Sequence, residues 1–280
     1  MITKAIVPMA GFGTRRLPIT KAIEKCMLPV GNRPIVDYVV EDCIKAGITD
    51  IIFVVGQQFE QLQTYYGRNA LIEEYLHAKG KQEQLNEIVG LASKANFHYV
   101  LQDQHQPYGT CVPVKLCADF VGKGEQVLVL MGDDFIYNDD GKSEAGQLIK
   151  SVDDSKATAA MLATRVPKSE VYRYGVLRTT QSDGRLFFDS VVEQPKVEDA
   201  PSDLINISKY VLDYDLLRAV QMAMERPPAA NGEYQITEAL NIYRQEMSKP
   251  LLVVPATGQY LDCGSVEGWL GANNVVLTSK

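Results

Sequence analysis

The sequence predicts an α/β fold in which a mixed, mainly parallel sheet is flanked by helices. The first 55 residues show the order strand, glycine loop, helix, strand, and later apolar runs end in polar or glycine-rich loops. With 280 residues and 46% hydrophobic content, the chain can bury one large core. We expect a single domain over residues 1–280, with halves of about 1–140 and 141–280.

Composition excludes several classes of partner. The net charge of −7 argues against a nucleic-acid or anionic-membrane surface. No apolar run approaches the roughly twenty residues of a membrane span, and the N-terminus lacks the layout of a signal peptide, so we expect a cytoplasmic protein. The five cysteines are odd in number and form no C-x-x-C pair, which predicts neither a disulfide framework nor a zinc site.

The first strand ends in the feature around which the chain is organised. Residues 4–9 form an apolar run, and residues 10–14 form a turn with two glycines, where the backbone can approach a ligand. Four cations follow in an otherwise acidic protein: Arg15, Arg16, Lys21 and Lys25. Phosphate oxygens require such charge-assisted donors, so the segment predicts a nucleotide site.

The remaining elements of the first half follow from hydrophobic spacing. Residues 33–47 have proline near the start, helical spacing of apolar positions and glycine at the end, which predicts a helix. Residues 48–55 and 97–101 are predicted strands, and residues 57–91 are predicted as two or three helices. Residues 126–131 are fully apolar and predict another strand.

The second half is predicted to be richer in strands. Turn signals separate its apolar runs, which predict strands at 157–166, 172–177, 185–193, 204–212 and 251–255. Helices are expected at 213–224, which two prolines terminate, and at 265–277.

The glycine turn resembles a known signature. It fails the dinucleotide fingerprint because Arg16 occupies the third glycine position, and no Walker A loop is present. The stretch from Gly11 to Pro29 reads G-x-G-T-R-x-L-P, then T-K-A and K-x-M-L-P. This resembles the sugar-1-phosphate nucleotidyltransferase family, most closely its bacterial branch that acts on UTP and glucose 1-phosphate. The resemblance implies a Rossmann-like fold of the nucleotide-diphospho-sugar transferase type, with a nucleotide-binding and a sugar-binding half.

The resemblance implies catalytic roles for Arg15, Lys25 and Asp133. Gln104 lies five residues before Gly109, as in the family pattern, and an amide can pair with the imide edge of uracil or thymine. Gln102 remains an alternative for this role. The residues implied to bind the nucleotide are Ala10, Gly11, Gly13, Thr14, Gln104 and Gly109.

Two acids are candidate metal ligands. Asp133 is the first acid after the apolar strand at 126–131, and Mg²⁺ binds through one or two carboxylates plus substrate oxygens. The resemblance assigns Asp133 to Mg²⁺ and adds Asp262, which lies in a D-C-G element, as the second ligand. Asp134 is expected to cap the following turn.

The second half carries the residues implied to bind the sugar phosphate: Tyr174, Gly175, Glu193 and Gln194. Glycine allows the backbone to approach a hexose, and Glu193 can accept bonds from sugar hydroxyls. Position 194 departs from the family, which has a phosphate-binding lysine there. The nearest cations in sequence that could replace it are Lys168, Arg173 and Lys196.

The activity implied is uridylyl transfer from UTP to glucose 1-phosphate, with Mg²⁺ as cofactor and UDP-glucose and pyrophosphate as products. Two alternatives stay open: the same transfer from dTTP, or a catalytically silent relative that binds nucleotide sugars and regulates a partner. Glu24 and Cys26 also depart from the family pattern beside Lys25. Because relatives commonly assemble, we expect a homo-oligomer.

Overall fold

The computed structural model describes residues 1–103, 105, 107–155 and 157–279. The helices are α1 Ile35–Lys45, α2 Glu60–Tyr66, α3 Ala70–Ala78, α4 Gln82–Ala92, α5 Cys111–Leu116, α6 Glu144–Ser155, α7 Tyr214–Met224, α8 Ile236–Asn241 and α9 Val266–Thr278. The strands are β1 Lys4–Pro8, β2 Pro29–Val30, β3 Arg33–Pro34, β4 Asp50–Val55, β5 Asn96–Leu101, β6 Gln126–Leu130, β7 Asp134–Tyr137, β8 Ala160–Arg165, β9 Gly175–Ser182, β10 Arg185–Glu193, β11 Leu204–Asp213, β12 Leu252–Pro255 and β13 Gln259–Asp262.

Strands from both halves of the chain join in one sheet, in the order β5-β4-β1-β6-β11-β8-β12-β10-β9. β5, β4, β1 and β6 are parallel to one another. β11 and β10 run the opposite way, whereas β8, β12 and β9 run with the first four. Seven of these nine strands therefore share one direction, and the predicted mixed, mainly parallel sheet is confirmed.

Both faces of this sheet are buried. Successive side chains of a strand point to opposite faces, so one strand contributes to an apolar cluster on each side. Ala5 and Val7 contribute to one apolar cluster together with α1, α6 and α9. Ile6 lies in the other cluster, together with α5, α7 and α8. Helices on both sides explain why the central strands read as continuous apolar runs rather than as alternating ones.

The observed boundaries refine the predictions. The region 57–91 forms three helices, α2 to α4. The strand predicted from residue 172 begins at Gly175, because residues Lys168–Arg173 form a 3₁₀ turn with local bonds such as Glu170 N–H to the Pro167 carbonyl at 2.8 Å. Within the residues that the structure describes, no helix is long and apolar enough to cross a membrane.

Two features of the fold determine where functional groups meet. The parallel strands β1 and β6 end side by side, and the Gly132 N–H donates to the Pro8 carbonyl at 3.3 Å. β13 pairs antiparallel with β7, with Asp262 opposite Asp134. This small ladder brings the end of the chain to the edge of the sheet where open α/β folds bind ligands.

Candidate active site

A cleft of about 370 Å³ opens at this edge of the sheet. Its lining includes six of the predicted site residues from the first half: Ala10, Gly11, Arg15, Lys25, Gly109 and Asp133. From the second half it includes Tyr174, Gly175, Glu193 and Asp262. Residues that the resemblance assigned to one nucleotide, one metal and one sugar phosphate therefore surround one space.

The glycine turn packs against the loop that carries Lys25. Gly13 has φ 66°, and a Cβ atom there would lie 2.9 Å from Lys25 Cβ, so only glycine fits the turn. The Thr20 hydroxyl donates to the Gly13 carbonyl at 2.8 Å and closes the loop. Gly13 and Thr14 line a neighbouring space of about 400 Å³, beside Arg15, rather than the main cleft.

The two consecutive arginines of the turn differ sharply in environment. Arg15 is exposed, whereas Arg16 is only 2% exposed. Arg16 Nη2 lies 3.9 Å from Asp133 Oδ2, and its Nε and Nη1 have no hydrogen-bond partner among the described residues. Sequence reasoning counted Arg16 among the cations of a phosphate site and did not predict its burial beside Asp133.

Lys25 and Asp133 form a close ion pair in the cleft, with Nζ 2.7 Å from Oδ2. Burial alone would lower the pKa of Lys25, but the Coulombic attraction of Asp133 outweighs it and raises that pKa. Burial likewise acts to raise the pKa of Asp133, and the attraction of Lys25 outweighs it and lowers that pKa. Both groups therefore stay charged at neutral pH.

Asp262 reaches the same cleft through the β7–β13 ladder. Its Oδ1 accepts from the Gly264 N–H at 2.9 Å. Its Oδ2 has two longer contacts, at 3.4 Å to Arg173 Nη2 and 3.5 Å to the Tyr174 hydroxyl. One oxygen is thus held firmly by the backbone, while the other has partners that a ligand can displace.

The expectation that Asp134 caps a turn is wrong. Asp134 begins β7, is nearly buried, forms an ion pair with Lys209, and accepts from the Tyr260 hydroxyl at 2.9 Å. Burial raises its pKa to about 6 despite the attraction of Lys209. A register shift in β11 between Asn206 and Tyr210 accompanies the placement of Lys209, and no local sequence pattern predicts such a bulge.

The far end of the cleft combines a carboxylate with a glycine. A Cβ atom at Gly175 would lie 3.0 Å from Glu193 Oε1, so the missing side chain leaves room for this carboxylate. Burial raises the pKa of Glu193, and a hydrogen bond from Thr237 opposes that rise. Gln194 is not among the residues that line the cleft; it has φ 44°, and its N–H donates to the Tyr174 carbonyl at 3.0 Å.

The two glutamines that are candidates for recognising the base both follow β5. Gln104 lies outside the described residues. Gln102 is 3% exposed and lines the cleft, and its Oε1 has no hydrogen-bond partner in the described part of the chain. An unpaired buried amide oxygen is costly unless a ligand donates to it. Gly109 follows in the same loop, which the Tyr234 N–H ties down through the Tyr108 carbonyl at 2.8 Å.

A metal would have to rely on few protein ligands. Over the described ranges, no group of three or more His, Cys, Asp or Glu side chains is placed to hold an ion. The cleft does offer the carboxylates of Asp133 and Asp262. Mg²⁺ is commonly bound by one or two carboxylates together with substrate phosphates and water, so this donor set suits it.

Comparisons with known proteins agree with this geometry. The family model described as "Nucleotidyl transferase" matches residues 4–279. A protein of Methanocaldococcus jannaschii, provisionally named a UTP–glucose-1-phosphate uridylyltransferase, is 38% identical over 98% of this chain and 92% of its own length. The UTP–glucose-1-phosphate uridylyltransferase of Pseudomonas aeruginosa is 32% identical over 98% of this chain and 95% of its own.

Solved structures give the same result. A UDP-glucose pyrophosphorylase complexed with UDP-glucose superposes with a TM-score of 0.86 at 32% identity, covering 100% of both chains. A UTP-bound UDP-glucose pyrophosphorylase from Acinetobacter baumannii gives 0.87 at 31% identity, covering 99% of this chain and 93% of the other. Since the family model and these relatives span nearly the whole sequence, the chain belongs to the nucleotidyl transferase family.

Proposed function

We propose that this protein transfers a uridylyl group from UTP to glucose 1-phosphate and releases pyrophosphate. The observation that carries the proposal is one cleft whose lining includes Arg15, Lys25, Asp133 and Asp262 together with Glu193. The named activity of the relatives and the UTP and UDP-glucose complexes of the neighbours support the choice of substrates.

The reaction needs no protein nucleophile. A phosphate oxygen of the sugar phosphate is already anionic and attacks the α-phosphorus, so the barrier lies in bringing two polyanions together. Exposed Arg15 would hold the β- and γ-phosphates and the departing pyrophosphate. Lys25, kept protonated by Asp133, would hold the α-phosphate.

Asp133 and Asp262 would hold Mg²⁺. A bound Mg²⁺ neutralises phosphate charge and orients the reacting oxygens. The loosely paired Oδ2 of Asp262 suits this role because its contacts at 3.4 and 3.5 Å are easily exchanged. Asp133 has the opposite character, since its Oδ2 is held at 2.7 Å by Lys25 and its position is therefore fixed.

The base would be recognised by Gln102. Its unpaired Oε1 lies buried in the cleft lining, where it can accept from the imide N–H of uracil. The imide edges of uracil and thymine are the same, so this contact selects against cytosine and leaves UTP and dTTP equivalent. Gln104 remains the competing candidate for the same contact.

At the other end, Glu193 would accept from sugar hydroxyls. Its carboxylate lies against Gly175, whose Cβ position would be only 3.0 Å away. The Tyr174 hydroxyl already contacts Asp262 at 3.5 Å, so the sugar and metal subsites share a wall.

A pyrophosphate-release assay tests the proposal. UTP, dTTP, CTP and ATP are each paired with glucose 1-phosphate, galactose 1-phosphate and mannose 1-phosphate, in the presence and absence of Mg²⁺. We expect the highest kcat/KM for UTP with glucose 1-phosphate. A higher value for dTTP would identify a thymidylyltransferase, and no release from any pair would identify a silent relative.

A further inference from the structure

One arginine at the end of a short turn of the second half lines the cleft. Arg173 closes the 3₁₀ segment Lys168–Arg173, and its side chain is 37% exposed. Its guanidinium lies 5.1 Å from the ring centre of Tyr174. Its other contacts, at 3.2 Å to Glu170 Oε2 and 3.4 Å to Asp262 Oδ2, are longer than the usual charge-assisted bond.

The described cations of the cleft are unevenly distributed. Three line it: Arg15, Lys25 and Arg173. Lys25 Nζ is hydrogen-bonded to Asp133 Oδ2 at 2.7 Å, and Arg15 directly follows the glycine turn. Both serve the wall where the triphosphate would bind. Arg173 is the lining cation that directly precedes Tyr174 and Gly175, on the wall of the sugar side.

The other cations suggested by sequence proximity do not reach this wall. Lys168 and Lys196 are exposed, and neither is among the described residues that line the cleft. Gln194 carries no charge and also lies outside the lining. The phosphate of the second substrate therefore has one candidate partner among the charged residues described on its side.

We propose that Arg173 binds the phosphate of the sugar 1-phosphate and gives up its contact with Asp262 when that phosphate arrives. The inference rests on the proposed function and adds the residue that recognises the acceptor phosphate. The planar guanidinium fork can bond two phosphate oxygens at once. The same exchange leaves Asp262 Oδ2 accessible to the divalent ion.

Initial rates with UTP and glucose 1-phosphate varied in turn test this role. For Arg173→Ala we expect the KM for glucose 1-phosphate to rise roughly 10- to 100-fold, the value for losing a charge-assisted contact, while the KM for UTP changes less than about threefold. Arg173→Lys keeps the charge without the fork and should lie in between. Lys168→Ala and Lys196→Ala are matched controls, with both KM values expected within about twofold of the parent.

Two results would overturn the inference while leaving the proposed function intact. One is an active parent whose KM for glucose 1-phosphate is unaffected by Arg173→Ala. The other is a variant in which only the Mg²⁺ concentration for half-maximal rate changes, which would mean that Arg173 merely positions Asp262. A parent inactive with every substrate pair would refute the proposed function. In that case, calorimetric titration with glucose 1-phosphate tests the inference. The inference requires that the parent binds glucose 1-phosphate and that Arg173→Ala binds it at least tenfold more weakly.

Discussion

The two walls of the cleft differ in charge and in how firmly their side chains are held. The first-half wall carries Arg15 and Lys25, and its acid, Asp133, is held by Lys25 at 2.7 Å. On the second-half wall, the Oδ2 contacts of Asp262 are 3.4 Å or longer. The difference supports a proposed division of labour, in which a preorganised wall would receive the triphosphate and a wall with exchangeable contacts would adapt to the metal and the sugar phosphate.

The comparison is tested most strongly by removing each acid in turn. Asp133→Asn and Asp262→Asn should each lower kcat roughly 1000-fold, because a metal that neutralises phosphate charge supplies several kcal/mol. Only Asp133→Asn should also lower the free energy of unfolding, by about 1–3 kcal/mol, because it leaves the partly buried Lys25 without its counter-charge. Kinetics and urea unfolding measure the two effects, and equal destabilisation by both variants would contradict the difference between the walls.

Arg15→Ala tests the preorganised wall by itself. We expect kcat to fall roughly 100-fold or more, because the variant loses a charge that would stabilise the departing pyrophosphate. Because Arg15 is exposed, the melting temperature should stay within about 2 °C of that of the parent. Lys150→Ala on α6 removes another exposed cation and serves as the control. A large drop in melting temperature for Arg15→Ala would show that this side chain supports the turn rather than the substrate.

Base recognition by the first-half wall gives a smaller effect. Loss of one hydrogen bond to the base should raise the KM for UTP about tenfold in Gln102→Ala and reduce the preference for UTP over CTP. Gln104→Ala is the matched variant, because it removes the other candidate amide. If Gln104→Ala has the larger effect on KM, the unpaired Oε1 of Gln102 does not read the base.

The smallest effect concerns the loop that carries Lys25. Glu24 Oε1 accepts from the backbone N–H groups of Gln61 at 2.9 Å and Leu62 at 3.4 Å, which ties this loop to α2. Burial raises the pKa of Glu24 above 4.5, more than these bonds lower it. The folded protein therefore binds the proton more tightly, and this contribution to stability is lost as pH rises above 4.5.

Thermal melts of Glu24→Gln at pH 4 and pH 7 measure this contribution. Relative to the variant, the parent should be more stable at pH 4 than at pH 7. Glu74→Gln, an exposed substitution on α3, should show no such dependence. A difference that runs the other way would mean that the hydrogen bonds from α2 outweigh burial.

Sequence reasoning predicted what local patterns encode. The glycine turn of β1 and Asp133 after β6 were predicted because a buried strand followed by a polar loop is a local signal. The pairing that brings Asp262 to the cleft is a contact between distant segments, and the resemblance supplied it rather than any periodicity.

The contacts that were missed depend on three-dimensional packing. The Asp134–Lys209 pair requires the irregular register of β11, which has no signature in the sequence. The placement of Gln194 outside the cleft lining goes with its positive φ of 44°, which is uncommon for a side chain of this size. Arg173 was named only as a nearby cation, and its position in the cleft follows from the turn that ends with it.

The β7–β13 ladder also affects how the protein is made. The Tyr260 hydroxyl meets Asp134 across 126 residues of chain, so this contact can form only after the segment around residue 260 has been synthesised. A product that stops before β13 carries the cationic turn and the first acid but lacks the second. Such a fragment would have the cationic wall and only one of the two proposed metal ligands, so we expect it to be inactive in uridylyl transfer.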